Sequence, residues 1–138
     1  MFQVINDEIT SDFFEFISKD LGEDKSVKTN FDSLWEAAYE YCSKFPREFI
    51  FTRRMTYSCI VQQDESESLK PFYEKLDDFL AKAIADGAMK EMSLMNFVYI
   101  ALSPLYGIMK STIENGKFYM QSDDLELYKS TSWNAIKG

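Results

Sequence analysis

Histidine is absent from all 138 residues of this chain. Without it there is no Ser-His-Asp or Cys-His nucleophile system, no His-based zinc site, and no access to the commonest general base. Cysteine is nearly absent: Cys42 and Cys59 stand far from any CxxC spacing and read as small buried hydrophobes rather than as a disulfide or a reactive thiol. Three prolines and five glycines are too few for a loop-rich or all-β design. Period-two alternation appears nowhere over a useful length, so the strand signal is missing as well. No apolar run reaches the roughly 18 residues that a membrane span requires. The opening "MFQVINDEIT" has neither a basic start nor an apolar signal core, so export is not expected and the expected setting is cytoplasmic. Positive charge is in the minority, with 15 Lys and Arg against 23 Asp and Glu, a net charge of −8. Such a surface repels phosphate and makes the chain by itself a poor nucleic-acid binder.

What the chain does have is aromatic bulk at helical spacing, with 12 Phe, 8 Tyr and 2 Trp in a length suited to one domain, residues 1–138. Punctuation divides it into about six helices, and the fold class is all-α. The first spans about Phe2 to Leu21, with Val4/Ile5, Ile9, Phe13 and Phe16/Ile17 on one face and Gly22 as its expected C-terminal cap. After a polar loop, "EDKSVKTN", a second helix runs from about Phe31 to Lys44. Pro46 breaks it and fits the first turn of a third, to about Gln62, whose "EFIFTRRMTYSCIV" is apolar almost all round and suits a central position. Pro71 opens an amphipathic fourth helix that ends at Gly87. The fifth, about Met92 to Asn115, is apolar on nearly every side, is closed by Gly116, and is interrupted by Pro104, which frees the carbonyl of Ile100 and should bend it.

The chain ends "DDLELYKSTSWNAIKG", where Asp123 and Glu126 have capping-box spacing and Leu125, Tyr128, Ser132 and Ile136 fall along one side. A Trp133 so near a chain end needs a partner surface, because termini usually fray. Five helices can already enclose a core of this size. The surplus apolar faces of the last two helices therefore favour half of a four-helix bundle completed by a second copy, with Leu105, Met109, Ile113, Leu125, Tyr128, Trp133 and Ile136 at the contact. The competing reading is that Trp133 folds back as a lid on its own core.

Several stretches together resemble the C-terminal domain of TetR-type (tetracycline-repressor family) transcriptional regulators. They are "MFQVINDEITSDFFEFI", "FDSLWEAAYEYCSKFPREFIFTRRM", "FYEKLDDFLAKAIADG" and the closing "DDLELYKSTSWNAIKG". The resemblance implies a homodimeric effector-sensing domain in which residues 1–21 are the linking helix that follows a DNA-binding domain. A small, mostly apolar ligand would enter a cavity behind that helix and shift it. The walls implied are Ile9, Phe13, Trp35, Tyr39, Phe51, Met55, Cys59, Phe72, Phe97, Tyr99 and Tyr106. The family's helix-turn-helix module has no counterpart in these residues, either because the chain is a fragment or because a regulator lost its reading head. DNA would thus be reached only through that missing N-terminal part.

The same side chains also suit plain core packing, and a helical protein-interaction adaptor with a filled core and no ligand is the alternative. Arg53 and Arg54 could meet a ligand carboxylate or pair with Glu48. The adjacent pairs Asp64-Glu65, Asp77-Asp78 and Asp123-Asp124 suit solvated faces and helix starts. Glu36 and Glu40 can share a face, yet no Glu-x-x-His exists to complete a di-iron site. No metal, no cofactor and no enzymatic activity are expected.

Overall fold

The computed structural model describes residues 12–13, 15–22, 24–50, 70–116 and 122–138, apart from the side chains of 70–73, 122 and 123. The chain is all-α, and the described residues form six helical stretches: α1 (residues 12–13 and 15–18), α2 (Val27–Lys44), α3 (residues 46–50), α4 (Lys70–Ala85), α5 (Leu94–Asn115) and α6 (Ser122–Ile136). Most boundaries follow local chemistry. Ser93 caps α5, its Oγ accepting from the Asn96 N–H at 3.1 Å, and Gly116 ends it in the left-handed region at φ 72°. Gly87, at φ 76°, turns the chain away after α4.

Two boundaries differ from expectation. The stretch taken as a polar loop already contains the first turn of α2, because Ser26 caps it by accepting from the Thr29 N–H at 3.1 Å. A cap of this kind starts a helix without any apolar residue. Gly22 does not adopt the left-handed cap conformation. Its N–H donates to Asn30 Oδ1 at 3.0 Å and its carbonyl accepts from Asn30 Nδ2 at 2.9 Å, so a buried side chain on α2 holds the segment after α1. Asp123, expected as a cap, falls within the first turn of α6, and Glu126 turns forward to Lys129 instead of back.

The expectation of a central third helix lies largely on residues 51–62, outside the described residues. Among the described elements α5 is the hub, packing on α6, α2 and α4. Phe97, Ala101, Leu102, Leu105, Tyr106 and Met109 of α5 are buried against Leu34, Trp35 and Ala38 of α2 and the inner faces of α4 and α6. Trp35 is fully buried, and its indole Nε1 donates to the Ala101 carbonyl at 2.8 Å. That oxygen stands beside the Ile100 carbonyl, which Pro104 deprives of its helical donor. Ring contacts carry the packing from α1 to α5: Phe13 meets Tyr41 (5.2 Å) and Phe49 (5.4 Å), and Phe49 stacks on Tyr106 (4.4 Å).

α6 runs antiparallel to α2. Lys129 bonds Glu36 at 2.7 Å, while Trp133, one turn on, meets the Phe31 ring at 5.2 Å. Glu126 completes the pair around Lys129 at 3.1 Å. Burial works against the Lys129 ammonium, but the hydrogen bonds it donates to the Glu36 and Glu126 carboxylates outweigh it and hold its pKa above the ordinary value. Glu36 and Glu40 do not act together: Glu36 serves Lys129, and Glu40 pairs with Lys44. The thiol of buried Cys42, a free cysteine, donates to the Tyr39 carbonyl at 3.1 Å, and burial pushes its pKa up to about 12. Tyr41 also rises to about 12, through burial and then the charges of Asp12 and Glu48.

Folding thus raises the pKa of all three groups. The stability they contribute is complete below the unfolded values, 9.0 for Cys42, 10.0 for Tyr41 and 10.5 for Lys129. It is lost as pH rises through the folded values, because the unfolded chain then holds fewer protons. Melting temperature is expected to fall steadily from pH 9 to pH 12, and Cys42→Ala is expected to flatten the first part of that decline. A flat profile across this window in a thermal-denaturation series would contradict the assignment.

The chain end is tied down rather than frayed. The Lys90 N–H donates to the Ile136 carbonyl (2.8 Å), the Gly138 N–H to the Ala88 carbonyl (3.0 Å), and Met89 pairs with Lys137 in an antiparallel bridge. A Cβ on Gly138 would collide with the Gly87 carbonyl oxygen. Gly138→Ala must open this pairing, and a loss of about 1–2 kcal/mol is expected, an unusual effect for a last residue. Urea denaturation of the variant measures it, and an unchanged midpoint would refute the pairing.

Candidate functional site

A cavity of about 410 Å³ opens where the end of α1 meets the start of α2 and the outer side of α4. Leu21, Gly22 and Lys25 follow α1, Ser26, Val27 and Asn30 open α2, and Lys75, Asp78, Phe79, Lys82 and Asp86 line the α4 side. The α4 residues form one stripe because their steps of three and four follow the helical turn. Lys75 Nζ donates to the Ser18 carbonyl at 2.8 Å and Lys25 Nζ to the Asp20 carbonyl at 2.8 Å. Ser18 is the last residue of α1, and its carbonyl also accepts from the Leu21 N–H at 3.2 Å; Asp20 lies in the turn that follows. The cavity wall therefore includes the turn that follows the first helix, together with Lys75, which bonds the last residue of that helix, and Lys25, which bonds the turn.

None of the described side chains expected to wall a ligand pocket lines this cavity. Phe13, Trp35, Phe97 and Tyr106 are core residues with almost no exposed surface, while Tyr39 and Tyr99 are half-buried. Ile9, Phe51, Met55 and Cys59 lie outside the described residues, as do the side chain of Phe72 and the residues Arg53 and Arg54. The lining residues passed unnoticed in the sequence because they alternate charge with apolar bulk and so resemble an ordinary solvated helix face. The signal available was the stripe Lys75, Asp78/Phe79, Lys82, Asp86, whose two lysines follow one another at seven residues. Among the described residues no three Cys, Asp or Glu side chains gather as a metal site would require. No described helix is long and apolar enough to cross a membrane.

The residues expected at a contact between copies are divided by the structure. Leu105, Met109 and Ile136 are enclosed by their own chain. The reason is one of phase: Leu105 and Met109 lie on the buried side of α5 and Ile136 on that of α6. Ile113, Leu125, Tyr128 and Trp133 are half-buried, and Trp133 lies on Phe31 with Lys28 Nζ 5.6 Å from its ring centroid. The outer face of α5 instead presents Asn96, Ile100 (39 % exposed), Ser103, Gly107, Lys110 and Glu114, with Ser111 half-buried at its side. A Cβ added at Gly107 would meet nothing within 4 Å. On α6 the outward apolar residue is Leu127, 59 % exposed.

Solved structures with the same fold include TetR-family regulators. One from Vibrio parahaemolyticus superposes with a TM-score of 0.74 at 12 % identity, covering 99 % of this chain and 73 % of that one. One from Haemophilus influenzae gives 0.72 at 17 %, covering 99 % and 70 %. One from Marinobacter aquaeolei gives 0.73 at 13 %, covering 97 % and 70 %. At such identities the likeness concerns the fold alone. No curated protein sequence matches the chain. The family profile described as "Tetracyclin repressor-like, C-terminal domain" matches residues 6–138, nearly the whole length, and the chain belongs to that family.

Proposed function

We propose that the chain is the effector-sensing and dimerisation domain of a TetR-type transcriptional regulator, working in the cytoplasm. The observation that supports this reading is the cavity lined by the turn after α1 and by Lys75, which bonds the last residue of that helix. A guest there touches the turn directly behind the element that, in this family, leads to the DNA-reading module. A ligand shifts such an equilibrium only by its difference in affinity for two arrangements, and a lysine shared between guest and helix supplies that difference. The effector is a small molecule with a largely apolar body. DNA is read by a helix-turn-helix module preceding α1, and no residue here is assigned a catalytic role. Two copies meet through the outward faces of α5 and α6, around Gly107 and Leu127.

The alternative, a helical adaptor with a filled core, is favoured by the close packing of Trp35, Phe97 and Tyr106. A thermal-shift screen with small apolar compounds separates the two. A sensor gains about 2.7 kcal/mol at a hundredfold excess over the dissociation constant, roughly 10 °C for a domain of this size. Absence of any saturable shift would favour the adaptor. Light scattering at micromolar concentration tests the pairing, and a predominant monomer overturns it.

A further inference from the structure

The cavity beneath the end of α1 has a charge balance opposite to that of the chain. Lys25, Lys75 and Lys82 face Asp78 and Asp86, one positive charge in excess on a protein of net charge −8. Leu21, Val27 and Phe79 give the cavity an apolar side. Ser26 and Val27 bring in the start of α2, an 18-residue helix whose amide end favours negative charge. Lys75 and Lys25 donate to the neutral carbonyls of Ser18 and Asp20. An ammonium bonds a carboxylate more strongly than it bonds a neutral carbonyl.

We propose that this cavity binds a small monocarboxylate with an apolar body, whose carboxylate draws Lys75 and Lys25 away from the carbonyls of Ser18 and Asp20. The inference rests on the effector-sensing reading and adds to it the ligand class and the contact through which α1 responds. Charge selects a monoanion, since a dianion such as inorganic phosphate would confront Asp78 and Asp86 with only one net positive charge to offset it. Size agrees, because about 410 Å³ lies within the range of small-molecule pockets. The paired hydrogen bonds between Asn30 and Gly22 take no part in the exchange. Gly22 therefore stays anchored on α2, while the last residue of α1 and the turn at Asp20 lose their lysine partners and loosen. Binding and helix release are one exchange of hydrogen bonds.

Octanoate is the probe, titrated by calorimetry against octanol and inorganic phosphate. Octanoate is expected to bind saturably, octanol at least tenfold more weakly, and phosphate not at all. The double variant Lys25→Gln/Lys75→Gln is expected to weaken octanoate about tenfold. Lys25→Gln alone, a change at an exposed residue that keeps Lys75 on Ser18, weakens it about threefold should the double variant fail to fold. Amide exchange over residues 15–22 is expected to quicken in saturating octanoate while α2 stays protected. Octanol or phosphate binding as tightly as octanoate overturns the proposal, as does indifference to the lysine variants or slower exchange in α1. If octanoate fails while an uncharged apolar compound stabilises the protein, this inference falls and the sensing reading stands. If no compound of either kind stabilises it, both fall.

Discussion

Gly107→Leu is expected to raise the dissociation constant of the proposed homodimer about a hundredfold while leaving the protomer folded and slightly more stable. Gly107 lies in the interior of α5, exposed, with open space where a side chain would project. Within one copy the substitution removes the penalty of a helical glycine, about 1 kcal/mol. Between two copies the effect has the opposite sign. Ser103, Gly107 and Ser111 are small residues four apart, and small residues let helices approach to the near end of the usual 8–10 Å spacing. A two-fold contact carries the change twice, and overpacking costs about 1–3 kcal/mol at each site. Two such penalties reach the roughly 2.8 kcal/mol that a hundredfold change requires. Sedimentation velocity gives the association state and urea denaturation at low concentration gives the protomer stability. A dimer as tight as the parent's would show that α5 does not present this face to its twin. Gly107→Ala, a smaller addition, is expected to weaken association less.

That Gly107 stands on the outward face of α5, and Leu105 and Met109 on the buried one, illustrates what hydrophobic pattern conveys and what it does not. Periodicity identifies a helix and, on an amphipathic one such as α4, also its buried face: Leu76, Leu80 and Ala83 are buried as their spacing predicts. α5 is apolar on nearly every side, so its pattern has no phase, and the largest side chains are a poor guide to the outward face. They belong to the intrachain core, whereas the exposed stripe contains serines and a glycine that do not register as hydrophobic. The family and the helix order were legible, as were the ends at Pro46, Gly87 and Gly116, because proline and glycine act locally through allowed backbone angles. The Asn30–Gly22 pair, the Lys75–Ser18 bond and the tail pairing with Ala88 were not legible. Each depends on where helices meet in space, and the residues involved are common on any polar surface. The lid reading of Trp133 gains support from its contact with Phe31. A direct consequence is that Trp133→Ala should lower protomer stability whether or not two copies are joined.

Trp35 was expected to wall a ligand cavity, and its substitution separates that role from core packing. Its side chain is fully buried between α2 and α5, with its one donor satisfied by the Ala101 carbonyl at 2.8 Å. If the indole fills a core, Trp35→Ala removes its packing and leaves a void that neighbouring helices cannot close, costing about 3–5 kcal/mol. Against a typical total of 5–15 kcal/mol, that is enough to bring a domain of this size close to unfolding at 37 °C. Trp35→Phe keeps most of the apolar volume but withdraws the N–H, and about 1–2 kcal/mol is expected from the lost hydrogen bond and the smaller ring. Urea denaturation of the three proteins should order them wild type, Trp35→Phe, Trp35→Ala, with similar dependence on denaturant. A wall residue beside open space would behave differently. Truncating it would enlarge an existing hollow rather than create one, so Trp35→Ala would cost under about 1 kcal/mol and would instead change which guests bind. A small loss of stability together with altered ligand response would return Trp35 to the cavity wall; a large loss with the octanoate response retained by Trp35→Phe leaves sensing to the lysine-lined cavity at the end of α1.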